Sequence, residues 1–133
     1  MSAPAAPRRT AQRAAIRRVF EDAAGPLSPA EALAAAQLEV PALGLATVYR
    51  NIRSLLDEGW LTEVPLPGAA DRYEVAGKRH HHHFRCRACD RVFEVEACPP
   101  DLRRLVPRGF LLDGHDITLL GRCADCARQR RRR

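Results

Sequence analysis

The sequence predicts an α+β chain: a winged helix-turn-helix domain followed by a small α/β domain that carries a four-cysteine zinc site. Three observations predict it. Amphipathic helical segments fill the first sixty residues, a short hairpin pattern follows them, and the chain then turns rich in histidine and cysteine with two Cys-x-x-Cys pairs.

The elements follow in order. Over residues 13–24, Ile16, Val19, Phe20 and Ala23 recur at helical steps. Thr10 is the expected N-cap, and Gly25-Pro26 stops the helix. Ser28 with Glu31 three residues on fits a capping box, opening a short helix over residues 30–37 with Leu33 inward. After Pro41 and Gly44, residues 47–58 form the clearest helix: Val48, Ile52, Leu55 and Leu56 share one face, and Gly59 suits the C′ position. Its other face carries Thr47, Tyr49, Arg50, Arg53 and Ser54, the polar and aromatic surface of a recognition helix. Pattern alone also admits a plain three-helix bundle. Strands over 61–66 and 72–75, around Pro67-Gly68, favour the wing of a winged helix. The domains are placed at 1–78 and 79–133. In the second, residues 84–86, 91–95 and 117–120 are strand candidates, and residues 101–106 form a helix ended by Pro107.

At 133 residues, each half alone is marginal by surface-to-volume scaling, so a metal staple or a dimer interface is physically useful. No uncharged apolar run approaches the ~20 residues of a membrane span. Ser2 to Pro7 lacks the apolar centre of a secretory signal. The expectation is a cytoplasmic protein without a membrane partner. The net charge of +6 is unevenly placed: residues 1–78 hold nine basic and nine acidic side chains, and the surplus lies beyond them. Arg8, Arg9, Arg13, Arg17 and Arg18 nevertheless cluster before the first acid, Glu21. Such clusters permit nucleic-acid contact. The terminal arginines, Arg128 and Arg130 to Arg133, read equally as a binding arm or a solvated tail.

Cys86-x-x-Cys89 and Cys123-x-x-Cys126 are separated by about thirty residues. Zinc binds four thiolates tetrahedrally, and each tight turn offers two, so the pairs read as one structural zinc site once a folded element brings them together. Disulfides do not suit a cytoplasmic chain. Cys98 is the odd cysteine, read as an ordinary small residue with a metal or redox role as the alternative. The run His80-His81-His82-His83 is internal and directly precedes a knuckle. On a strand its members alternate, His80 and His82 to one face and His81 and His83 to the other, so one strand can serve two sites. His115, Asp101, Glu94 and Glu74 are the further ligand candidates. Mixed imidazole and carboxylate sets suit Zn²⁺, Fe²⁺ and Mn²⁺ alike.

The chain at this point resembles the ferric uptake regulator family. The matches are Arg9-Thr10-x-Gln12-Arg13, Gly44-Leu45-Ala46-Thr47-Val48-Tyr49-Arg50, the histidine run before Cys-x-x-Cys, and His115-x7-Cys123-x-x-Cys126. They run from about residue 8 to residue 126 in the family's order. The resemblance implies a homodimer that binds a palindromic operator in double-stranded DNA when a divalent metal co-repressor is present. It assigns Cys86, Cys89, Cys123 and Cys126 to structural zinc. It assigns His80, His82, Asp101 and His115 to a site within the dimerisation domain. Glu74, His81 and His83, with Glu94 as a further contributor, match an interdomain sensory site. Arg8 matches a minor-groove contact, and Tyr49 and Arg50 match base and backbone contacts. Thr47 lies in the same matched segment, while Arg13 and Arg53 suit phosphate contacts that set register. The regulatory metal is expected to be Fe²⁺ or Zn²⁺, with Mn²⁺ as a third choice. Two departures stand out. Gly25-Pro26-Leu27-Ser28 carries no histidine where many relatives supply one, and the stretch from Asp101 to His115 is short, so its helix should be stubby.

A metal-responsive repressor of metal-uptake genes is therefore the leading expectation. A peroxide sensor of the same family is the nearest alternative, and a zinc-storage or metallochaperone protein the alternative of another class. No His-x-Glu is paired with Cys-x-x-Cys as a zinc deaminase needs, and no nucleophile stands out, so no enzyme and no small-molecule substrate are expected.

Overall fold

The computed structural model describes residues 5–132, so Ser2 to Pro4 of the Ser2 to Pro7 stretch and the terminal Arg133 lie outside it. The chain forms two compact units, one ending at Gly77 and one beginning at Lys78.

The first unit contains α1 (Ala5–Asp22), α2 (Pro29–Ala36), α3 (Leu45–Asp57), β1 (Leu61–Val64) and β2 (Arg72–Val75). Ile16 and Phe20 of α1, Ala32 and Ala36 of α2, and Val48, Ile52 and Leu55 of α3 close on one another with Leu43 and Leu61 as a dry core. This is the inward stripe that the helical periodicity requires. Ser28 caps α2 with a full capping box: its hydroxyl accepts from the Glu31 amide, and the Glu31 carboxylate accepts from the Ser28 amide. Glu31 also takes the guanidinium of buried Arg72, which in addition donates to the Pro26 carbonyl. One carboxylate thus ties the start of α2 to the wing. β1 and β2 pair antiparallel, Leu61 against Val75, and Leu27 adds a two-bond bridge to Tyr73. The unit is a winged helix-turn-helix. Gly59 ends α3 with φ of 78°, a left-handed conformation that costs glycine little.

Thr10 is not the first cap. α1 begins at Ala5, because the alanine-rich start is strongly helix-forming and Pro7 is tolerated in a first turn.

The second unit is built on β3 (His82–Cys86), β4 (Val92–Val95) and β5 (Thr118–Gly121), ordered β4-β3-β5, with α4 (Ala124–Arg131) after them. β3 pairs antiparallel with β4 and parallel with β5. The parallel pairing needs a crossover, and residues 96–117 supply it. Only a 3-10 helix, Leu102–Leu105, forms there instead of the expected α-helix. Asp101 at its start is left-handed, with φ of 63°, and Pro107 removes a donor just beyond its end. Most of the arginine tail is helix α4 rather than a loose arm.

Candidate metal centres and nucleic-acid face

The two knuckles meet at one end of the sheet, where β3 and β5 finish side by side. Cys86 is the last residue of β3 and fully buried. The chain turns back at Asp90, whose φ of 65° is one of two positive values among non-glycine described residues. That turn aims the Cys89 amide at the Cys86 sulfur, 3.4 Å away. Cys123 lies just after β5 as the N-cap of α4, and Cys126 is in the first turn of that helix. One sulfur from each of the four cysteines lies within 4.8 Å of the others, and Cys89 and Cys123 are 3.8 Å apart. A tetrahedron of zinc–sulfur bonds has S···S edges of about 3.8 Å. Backbone amides, that of Cys123 foremost and then Cys89, lower the Cys86 thiol to about 6. The last thiol is hard to ionise: the Cys123 sulfur, burial and the other sulfurs push Cys126 up to about 12. Four thiolates at this spacing need a cation, and zinc fits the donor set. Arg91 adds a positive charge at the rim. Its Nε donates to Cys89 Sγ at 3.4 Å, and its other arm reaches Cys123 Sγ at 3.6 Å and Asp125 at 3.1 Å.

The second constellation lies at the start of the same strand. His80 Nε2 and His115 Nε2 are 3.0 Å apart, and His115 Nε2 and His82 Nε2 are 3.2 Å apart. The fourth member is Cys98, whose sulfur is 3.4 Å from His82 Nε2 and 3.2 Å from His115 Nε2. His82 is buried; burial first, then His80 and His115, lowers its pKa below the ordinary histidine value. Asp101, expected here, is elsewhere: its carboxylate pairs with Arg104 at 2.7 Å. Pro99 and Pro100 keep the chain extended between the two residues, and this leaves the thiol, not the carboxylate, at the histidines. The signal that could have found Cys98 was its status as the one cysteine outside the knuckles, on the way to His115.

His81 and His83 take the other side of the strand, their rings 4.9 Å apart. Glu94 lies opposite His83 in the β3–β4 register, 3.9 Å from His81 Nδ1, and pairs with Lys78 at 3.0 Å. Glu74 is buried on β2 of the first unit.

On α3 the face away from the core is open. Tyr49 is 53 % exposed, Arg50 and Arg53 are exposed, and Arg50 donates to the Thr47 hydroxyl at 3.1 Å. A polar cleft beside them is lined by Arg9, Gln12, Arg13, Thr47, Arg50 and Asn51. Two expectations shift. Arg13 is held within the unit, donating to Ser54 at 3.0 Å and to Glu58 at 2.6 Å, which stitches α1 to α3. A phosphate would have to compete for it with Glu58. Arg8 stands on α1, inside the helix rather than ahead of the expected cap at Thr10.

The pattern of the Ferric uptake regulator family matches residues 5–119. The ferric uptake regulation protein of Campylobacter jejuni is 37% identical over 93 residues, 66% of this chain and 58% of that protein. The transcriptional regulator FurA of Mycobacterium bovis is 29% identical over 96 residues, 70% of this chain and 65% of that one. A solved zinc-bound manganese uptake regulator superposes with a TM-score of 0.73 at 26% identity, over 84% of this chain and 87% of that one. The Helicobacter pylori ferric uptake regulator, described as having three functional metal binding sites, gives 0.63 at 24% over 87% and 79%, a likeness of fold. The chain spans between 56% and 66% of the length of these and similar curated relatives.

Proposed function

The chain belongs to the ferric uptake regulator family, and from that premise we propose that it is a metal-responsive, DNA-binding transcriptional repressor acting in the cytoplasm. One observation carries the reading: an open recognition helix and separate metal-ligating clusters occur in the same chain. Zinc storage would account for the clusters, yet would leave Tyr49, Arg50 and Arg53 displayed on α3 without a task. In this reading Cys86, Cys89, Cys123 and Cys126 hold structural zinc. Glu74, His81 and His83, with Glu94, form the sensory set for Fe²⁺, Zn²⁺ or Mn²⁺. A metal that draws ligands from both units favours the arrangements in which those ligands meet, and it need only bind them more tightly than the others.

The DNA face works by sorted contacts. Tyr49 packs on a thymine methyl and Arg50 donates to guanine or phosphate. Arg8 and Arg53 meet the backbone and set register, as does Arg13 where it can leave Glu58, and Thr47 orients Arg50. A palindromic operator requires a two-fold partner. β5 supplies a surface for one: it is an edge strand with Leu119 and Leu120 about half exposed, beside an apolar groove lined by Leu105, Val106, Phe110 and Leu111. An unpaired apolar edge is a template for another copy.

The test is binding to a palindromic promoter site by zinc-loaded protein, with Fe²⁺, Mn²⁺ or further Zn²⁺ added. Specific binding that tightens with one of these metals is expected. Specific binding indifferent to all three, or none at all, overturns the proposal.

A further inference from the structure

We infer that His80, His82 and His115 form with Cys98 a three-histidine, one-thiolate centre that selects Zn²⁺ over Mn²⁺ and Fe²⁺. This deepens the metal-binding part of the reading above but does not depend on DNA binding. The inference departs from the ligand set implied by family resemblance, which would place the Asp101 carboxylate here.

Geometry is the first ground. Three ring nitrogens and one sulfur, all from the second unit, offer one atom each within 4.8 Å of one another. The separations are 3.0 Å for His80–His115 and 3.2 Å for His82–His115 between nitrogens, and 3.2 and 3.4 Å from the Cys98 sulfur to the His115 and His82 nitrogens. Zinc–nitrogen and zinc–sulfur bonds arranged tetrahedrally give edges of about 3.3 Å and 3.6 Å. The cluster is thus within a few tenths of an ångström of closing on one ion.

Chemistry is the second ground. Asp101, the acid that the resemblance offers, is engaged with Arg104, and Glu94 with Lys78, while Asp116 acts on His82 by its charge without joining the set. The set therefore offers a soft thiolate and three imidazoles, with no carboxylate among its members. Such donors favour Zn²⁺, whereas Mn²⁺ prefers oxygen and more ligands than four. The third ground is how the thiol is held. Cys98 precedes Pro99-Pro100, so its own backbone is confined to extended conformations and its sulfur is presented rather than tethered loosely. His82 comes from the buried face of β3 and His115 from the approach to β5, so the remaining ligands stand on or beside the sheet.

The experiment uses full-length protein with its four-cysteine site loaded with zinc, to which Co²⁺ is added as a spectroscopic probe. Expected is a thiolate-to-cobalt charge-transfer band with tetrahedral ligand-field bands, displaced by Zn²⁺ but not by Mn²⁺. In Cys98→Ser the charge-transfer band should vanish, and Zn²⁺ affinity at this site should fall at least about 100-fold, beyond the range typical of outer-shell changes. Cys98→Asp should recover binding with the preference moved toward Mn²⁺. The inference is overturned if Cys98→Ser leaves the charge-transfer band intact, or if Asp101→Asn rather than Cys98→Ser removes the site. Should Cys98→Ser fail to fold, alkylation of Cys98 in the natural chain decides: slowing by added Zn²⁺ supports the inference, and an unchanged rate overturns it. A spectrum as expected from a protein that ignores metal in DNA binding would defeat the proposed function alone.

Discussion

Replacement of Arg91 by alanine should loosen the four-cysteine zinc site although Arg91 is not a ligand. A tetrahedral zinc with four thiolates carries a net charge of −2, and Arg91 places a cation directly on two of the sulfurs. The guanidinium fork donates to Cys89 and Cys123 at 3.4 and 3.6 Å and is itself fixed by Asp125 at 3.1 Å. Those carboxylate and sulfur contacts, Cys89 first, raise the Arg91 pKa further above its ordinary value, and Arg91 in turn holds Asp125 below the usual carboxylate range. Outer-shell partners of metal ligands are typically worth 10–100-fold in affinity. Arg91 is 47 % exposed and sulfur is a weak acceptor, so the lower part of that range applies, about 10–30-fold. Competition with a chromophoric chelator measures it. Arg91→Lys keeps the charge but not the fork, and should fall between the natural chain and Arg91→Ala. Equal zinc affinity in all three proteins would refute the argument, provided that Cys126→Ser still abolishes tight binding in the same assay.

Three further outcomes follow from the first unit and the sheet edge. Ser28→Ala removes the side-chain half of the capping box and should cost about 1 kcal/mol, read as a fall of a few degrees in the melting temperature; an unchanged melt would mean the cap is not populated. Arg50→Ala or Tyr49→Ala should weaken operator binding by about 5–150-fold with the melt unaltered, because both side chains are exposed; unchanged affinity in a mobility-shift titration would exclude α3 as the reading helix. Leu120→Glu places a charge on the apolar edge of β5 and should shift the sedimentation equilibrium toward monomer; a persisting dimer would locate the interface elsewhere.

What was legible in the sequence was local. The capping box of Ser28 and Glu31, the C′ glycine at Gly59 and the stripe of α3 each depend on residues within a turn or two, and all are found as read. The alternation expected of a strand also appears in the histidine run: His82 and His83 open β3, His80 and His81 precede it, and the rings still divide between His80/His82 and His81/His83. Features set by irregular backbone were not legible. Asp101 and Cys98 differ by three positions, and the path of two prolines decides which one meets the histidines. The tail was ambiguous because arginines suit a solvated helix as well as a coil, whereas Cys123 and Cys126 anchor the first turn of α4. Arg13 looked free because its partner, Glu58, is 45 residues away.

The two ligand clusters of the second unit sit at opposite ends of one strand, and this predicts a coupling between them once metal is bound. Cys86 ends β3, and Cys123 follows β5 by two residues. An ion shared by both cysteines would lock the parallel pairing in which Cys86 is opposite Gly121 and His83 opposite Thr118. That pairing in turn delivers His115, three residues before β5, to His80 and His82. A slip of one residue would instead turn every side chain of β3 to the opposite face. Gly121 leaves little room for slippage of another kind, since a Cβ there would come within 3.0 Å of the Phe84 ring. Cys126→Ser should therefore weaken Co²⁺ binding at the histidine cluster as well, though Cys126 offers that cluster no ligand. The distance between the sites, about 13 Å along the strand, excludes direct electrostatic contact as the main cause in ordinary salt. Co²⁺ binding at the histidine cluster that survives Cys126→Ser unaltered would show that the sheet register is set without the cysteine-bound ion.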